Sequence, residues 1–184
     1  MAERFIRLAP GIAGGPYARC AQERFEQVTQ NPQQAVLGER FWERPLEQLN
    51  QAEWEALCDG CGRCFLKKLI NSKDESVHYT RVVCRYLDTE QCACTAYSKR
   101  EKLVPDCLVL DLEMLGQLHW IPDTCAYRLR YEGKPLPQWH PLIQGTRAEI
   151  NAQQISVTGK VISEEFVHEK GLEEHIIRWV SAAC

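Results

Sequence analysis

Leu57-Cys58-Asp59-Gly60-Cys61-Gly62-Arg63-Cys64-Phe65 places three thiols at a spacing of three residues, with a glycine in each interval. Glycine lets the backbone curl and turn its amide hydrogens toward the sulfurs, so three side chains on so short a loop can face one metal ion or cluster. Cys84, Cys92, Cys94, Cys107 and Cys125 follow, so eight of the ten cysteines fall between residues 58 and 125. The expected fold is therefore a small, irregular, metal-stabilised single domain of α+β class, with mainly short helices and a few short strands.

The chain has 184 residues, enough for one domain with a real core. Hydrophobic residues make up 45% and charged residues 26%, which are globular values. With 22 basic and 25 acidic residues spread evenly, no segment has the basic excess that counterion release demands of a nucleic-acid binder. The N-terminus has charges at Glu3, Arg4 and Arg7 and lacks the uninterrupted apolar run of a secretory signal. No apolar stretch approaches the roughly 20 residues a membrane helix needs. The expectation is a cytoplasmic protein with protein partners and with neither nucleic acid nor membrane as a partner. In a reducing compartment, clustered thiols are metal ligands or catalytic groups in preference to disulfides.

Residues 1–40 are expected to form a flexible arm, punctuated by Pro10, Gly11, Gly14, Gly15 and Pro16, with a helical turn or two over Cys20 to Val28. Residues 41–160 form the cysteine-cluster domain, and 161–184 a C-terminal helix packed on it. Asn50 followed by Glu53 is a capping-box pattern, which predicts a helix from Gln51 to about Leu57 that delivers Cys58 at its end. A second short helix is expected over Cys64 to Ile70, with Leu66, Leu69 and Ile70 inward and Lys67-Lys68 on the solvated face. Val77 to Val83 is rich in β-branched and aromatic residues and predicts a strand running into Cys84. Asp111 is a candidate cap for a helix over Leu112 to Leu118. The Pro122-Asp123-Thr124-Cys125 run predicts a cysteine in the first turn of a helix ending near Gly133. Pro135 to Leu142 is expected to run extended over the core, and Thr146 with Glu149 suggests another capped turn. Ile155 to Thr158 and Lys160 to Ile162 suggest a hairpin around Gly159, and Gly171 to Val180 a final amphipathic helix.

The runs WEALCDGCGRC, VVCRYL, CACTAY, PDCLVL, IPDTCAYRL, EGKPLPQWHPLI and ISV, in that order and spacing, resemble the bacterial YcgN-like cysteine-cluster proteins. These belong to a broader CxxCxxCC group described as zinc- or iron-chelating, and the resemblance covers about residues 41–160. It implies that Cys58, Cys61 and Cys64 match the first three cysteines of the signature, and that Cys84, Cys92, Cys94, Cys107 and Cys125 match later ones. Phe65 stands where that signature has its fourth cysteine. The resemblance implies metal chelation and assigns no reaction.

Eight thiols are enough for two four-sulfur sites. Zinc takes four ligands tetrahedrally, typically from two separate CxxC pairs. One CxxCxxC with a remote fourth cysteine is closer to [4Fe-4S] ligation, which makes an iron–sulfur cluster the favoured cofactor and zinc the alternative. Three functions follow: a structural or redox metal protein; an enzyme of protein modification or electron transfer, with His119, His140 or Asp123 as candidate acid or base; and a zinc-stabilised interaction module using the Trp120 and Trp139 region. His78 is a further candidate ligand, with a surface strand histidine the simpler reading.

Overall fold

A computed structural model of the chain describes residues 5–8 and 37–181. The capping box at Asn50 forms as expected. Asn50 Oδ1 accepts the Glu53 N–H at 3.0 Å and the Glu53 carboxylate accepts the Asn50 N–H at 3.0 Å, so two orphan donors at the helix start are satisfied together. The resulting helix, α1 (Gln51–Ala56), passes into the fully buried Leu57 and so fixes where the cysteine loop begins. Five more short helices follow: α2 (Arg100–Leu103), α3 (Leu112–Leu115), α4 (Ala126–Tyr131), α5 (Pro141–Gln144) and α6 (Ala148–Ala152). Asp111 does cap α3, accepting the Met114 N–H, but the helix ends at Leu115, ahead of Gly116. Pro141 sits in the first turn of α5, the position where its missing N–H costs nothing.

A four-stranded sheet holds the other half of the molecule. Its strands are β1 (Phe5–Leu8), β2 (Leu66–Asn71), β3 (Val77–Val83) and, after a small separate hairpin of β4 (Leu87–Asp88) and β5 (Ala93–Cys94), β6 (Ile162–Ser163). β2 pairs antiparallel with both β1 and β3, and β3 pairs parallel with β6. Phe5–Leu8 thus belongs to the sheet, whereas the helical turn expected over Cys20 to Val28, and Cys20 and Cys184 themselves, lie outside the described residues.

Three expected elements differ. Cys64 to Ile70 is not a helix: a 3-10 turn over Arg63–Phe65 leads directly into β2. The apolar spacing fits a helical face, but β2 finds backbone partners on both sides, in β1 and β3, and that pairing overrides the local pattern. Lys68, expected in solvent, is buried there. The hairpin around Gly159 does not form. Gly159 turns at φ +72°, and Ile162 pairs with Val82 of β3 instead of folding back on Ile155 to Thr158. The last segment is a 3-10 helix over Glu169–His175, then extended chain in which Ile176 bridges Thr80 and the Ile177 N–H donates to Tyr79 O at 2.8 Å. The free backbone groups along β3 recruit it, and Gly171 weakens the helical alternative.

Two cores result. Leu46, Leu57, Leu115, Leu118, Ile121 and Tyr127 pack between the helices, and Leu66, Tyr79, Val83, Leu87 and Val157 pack on one side of the sheet. Tyr79 joins the halves by donating its hydroxyl to Trp120 O. No described helix is long and apolar enough to cross a membrane.

Glu53 is the buried charge on which the first half depends. Besides the cap, its carboxylate accepts the Gly38 N–H at 3.0 Å and pairs with Arg44. Burial opposes ionisation, but the Asn50 and Gly38 amides and the Arg44 guanidinium outweigh it and hold the carboxyl below its ordinary range. This contribution to stability is fully present above the unfolded-state value of about 4.3 and is lost as the pH falls through the folded-state value. Glu53→Ala should lower unfolding free energy by about 2 to 4 kcal/mol at neutral pH, measured by urea denaturation, and the difference from wild type should shrink below about pH 4.

Candidate metal centre

The cysteine loop is shaped by two left-handed residues. Gly60 lies at φ +69° and Gly62 at φ +77°, and between them the Cys61 N–H donates to Asp59 Oδ1 at 2.9 Å. Asp59 Oδ2 is buried and has no hydrogen-bond partner among the described residues. The loop is tied down from outside by two arginines. Arg147 Nη2 donates to Gly60 O at 3.0 Å. Arg63, itself buried, donates through Nε to Ile155 O at 2.7 Å and through Nη1 to Thr124 Oγ1 at 3.1 Å. Thr124 immediately precedes Cys125, so one guanidinium holds the CxxCxxC loop against the segment that carries a distant cysteine.

The consequence is a group of four thiols. Cys58 and Cys64 each lie within electrostatic reach of the other and of both Cys61 and Cys125. The Gly60 N–H donates to Cys58 Sγ at 3.4 Å, and nearby backbone amides favour the thiolate form at Cys61, Cys64 and Cys125 as well. Cys125 occupies the cap position of α4, close to the first-turn placement expected from the sequence. Desolvation is the main force on the free thiols and pushes all four up, Cys125 to about 12. The Asp59 carboxylate adds to this at each of them. As residues, Cys58 and Cys64 are exposed and Cys61 is buried. Among the described residues, no three of His, Cys, Asp or Glu converge tightly enough to hold a single metal ion.

A second group lies apart. Cys84 follows β3, Cys94 ends β5, and Cys107 stands beyond α2; these three also lie within electrostatic reach of one another. Burial pushes the Cys107 thiol up to about 11 against the opposing pull of Arg100. Cys92 joins neither set. Its Sγ lies 3.4 Å from both Ser156 Oγ and Thr158 Oγ1, beside a cavity of about 370 Å³ lined also by Arg147, Ile150 and Asn151.

The histidines fall outside the thiol groups. His140 is fully buried, and with the Leu142 N–H donating to its Nδ1 at 3.1 Å, its Nε2 donates to Leu57 O at 3.2 Å. Both ring nitrogens are used, and desolvation lowers its affinity for a proton, so His140 is a neutral structural residue. His78 Nε2 contacts Ser76 Oγ at 3.0 Å, and His119 is exposed. Trp139 is buried against Cys61 and Ile150. Sequence reasoning missed Arg63 and Lys68. An arginine inside a CxxCxxC loop and a lysine flanked by leucines were the available signals.

Close relatives place the chain in a family. A protein of Marinobacter nauticus is 48% identical over 141 residues, covering 76% of this chain and 95% of the relative. One of Pseudomonas putida is 50% identical over 138 residues, 74% of this chain and 93% of that protein. One of Shewanella denitrificans is 44% identical over 140 residues, 76% and 94% of the two chains. All three are named UPF0260 proteins. This chain belongs to the UPF0260 family, an uncharacterised bacterial family. No protein-family model and no solved structure matches the chain.

In this UPF0260 protein the two loop glycines are not equivalent. A Cβ at Gly62 would stand 2.6 Å from Val157 Cγ2 and 3.3 Å from Cys92 Sγ, whereas one at Gly60 would meet only the end of the Arg147 side chain. Gly60→Ala should cost about 1 to 2 kcal/mol from left-handed backbone strain, together with displacement of the flexible Arg147 side chain from Gly60 O. Gly62→Ala should cost about 1 to 3 kcal/mol more because a packed core must also shift. Thermal unfolding of the two variants side by side checks the order.

Proposed function

We propose that Cys58, Cys61, Cys64 and Cys125 hold an iron–sulfur cluster, of the four-iron type, in a protein whose role is redox or structural. The observation that supports this reading is Arg63, inside the three-thiol loop, bonding to Thr124 beside Cys125, a fourth thiol 61 residues further along the chain, with the Gly60 N–H donating to Cys58 Sγ. Amide hydrogen bonds to sulfur stabilise thiolate ligands and tune cluster potentials. Zinc with four thiolates at about 2.3 Å needs a tight tetrahedron of sulfurs. One CxxCxxC loop joined to a remote fourth cysteine is closer to the ligation of a four-iron cluster than to paired zinc knuckles.

The remote Cys125 also answers the departure at Phe65: the fourth thiolate comes from across the fold instead of from the loop. Phe65 is instead half-buried against the sheet core. When bound, such a cluster supplies one-electron chemistry, and its binding also contributes folding free energy. The loop residues do the rest. Gly60 and Gly62 orient amides, and Arg63 fixes the distance between loop and Cys125. Cys84, Cys94 and Cys107 form an independent thiol group, taking zinc or a second centre, and Cys92 is not a ligand.

Protein purified without oxygen tests this through its visible spectrum and its iron, zinc and acid-labile sulfide content. The expected result is broad visible absorption with roughly four irons and matching sulfide on the first thiol set. Cys125→Ser should abolish that iron, whereas Cys107→Ser and Cys92→Ser should leave it in place. Colourless wild type carrying only zinc would exclude the cluster, and iron that survives Cys125→Ser would exclude this set of four.

A further inference from the structure

Glu90 and Arg147 are opposite charges that line one cleft without meeting. The cavity of about 370 Å³ beside Cys92 is bounded from the loop between β4 and β5 by Glu90, and from the cap of α6 by Arg147. Both are exposed, so they stand at the rim, whereas Cys92, Ile150 and Ser156 are buried and form the floor. Among the described residues, neither charge forms an ion pair with the other or with any other side chain. Arg147 spends one N–H on Gly60 O at 3.0 Å. A guanidinium carries several more in a planar fork, so donors remain for a carboxylate.

The floor has the opposite character. Asp88 Oδ1 accepts the N–H groups of Glu90 and Gln91 at 2.9 Å each, which sets the turn, and Cys92 follows it at φ +52°. Cys92 Sγ then lies 3.4 Å from both Ser156 Oγ and Thr158 Oγ1, and those two oxygens are 2.8 Å apart. The thiol and the two hydroxyls carry one hydrogen each, so when each donates once their mutual contacts form a closed ring. No donor is left over for the cleft. Ser156 Oγ also accepts the Thr158 N–H at 3.1 Å, which leaves the spare lone pairs on Thr158 Oγ1 and the sulfur. The floor is therefore an acceptor surface suited to N–H donors, with Ile150 as its apolar side.

We propose that this cleft binds a small zwitterion, an α-amino acid or a dipeptide, with its carboxylate on the Arg147 guanidinium and its ammonium on the Glu90 carboxylate and the floor acceptors. A simple anion would meet Arg147 but would also face Glu90 and an acceptor floor, and a simple cation would face Arg147. Only a ligand carrying both charges satisfies both ends with charge-assisted hydrogen bonds. The volume lies at the small end of the range for ligand pockets, which fits a molecule of this size. Cys92 serves here as part of the floor and undergoes no reaction. The proposal is independent of what the first thiol set holds.

The test titrates the full-length protein calorimetrically with each protein amino acid in turn and with the dipeptide Gly-Gly. At least one should bind saturably with a Kd of about 1 mM or tighter. The N-acetyl derivative of that compound, which lacks the ammonium, and its amide, which lacks the carboxylate, should each bind about tenfold more weakly or worse. Arg147→Met and Glu90→Gln should each weaken the parent compound by about the same factor, while Gln153→Ala, outside the cleft, binds it as wild type does. Thermal unfolding of each variant shows that it is folded. Should Arg147→Met lose its fold with the tie to Gly60 O, Glu90→Gln decides, since Glu90 contributes no side-chain hydrogen bond among the described residues. Saturable binding by none of these compounds overturns the proposal. So does a derivative that binds as tightly as its parent, or binding that a folded Arg147→Met or Glu90→Gln leaves unchanged.

Discussion

The buried guanidinium of Arg63 is the interaction on which the arrangement of the thiols depends. It reaches Ile155 O in one direction and Thr124 Oγ1 in the other, so that three segments far apart in sequence meet at one side chain. Hydrogen bonds from a charged donor are worth about 1.5 to 3 kcal/mol each, and a buried charge that loses its acceptors is penalised further. The planar fork also imposes direction, which a lysine at the same position would not. The Val157 N–H, donating to Cys61 O at 2.9 Å, adds a second tie between the loop and the same later segment.

That junction explains why so irregular a molecule has defined geometry. The helices are short, four to six residues, and isolated helices of that length do not persist in water. They are held by what they pack against: α1 through Glu53 and its partners, and α4 through Tyr127, whose ring lies against Trp54 and whose hydroxyl donates to Trp54 O. The sheet is similarly cross-tied, with Thr80 Oγ1 donating to Lys67 O and Tyr79 reaching Trp120. Side-chain to backbone bonds of this kind stand in for the long regular elements that the chain lacks.

Charge is distributed around the first thiol set in a layered way. The Asp59 carboxylate sits inside the loop and makes the free thiols hold their protons, Lys68 is bonded to the Cys64 carbonyl, and the Gly60 N–H donates to Cys58 Sγ. Desolvation and Asp59 oppose thiolates, while Lys68 and the amides favour them. The opposing effects leave all four free thiols holding their protons more tightly than an ordinary cysteine.

Much of the local chemistry was legible in residue order. The Asn50–Glu53 cap, the strand over Val77–Val83, the Asp111 cap and the placement of Cys125 at a helix start all rest on contacts within a few residues, and the chain forms each of them. What local pattern misjudged were the segments whose partners are remote. Leu66 to Ile70 has helical spacing but becomes a strand because β1 and β3 flank it, and Ile176 extends because Thr80 offers it a bridge. The sequence by itself determined that three thiols and two left-handed glycines share one short loop, since the CxxCxxC spacing is local. Only the tertiary structure decided that Arg63 ties that loop to Thr124 and Ile155, that Cys92 packs against Ser156 and Thr158 and that Lys68 is enclosed, because those outcomes depend on long-range pairing and burial that no local spacing encodes.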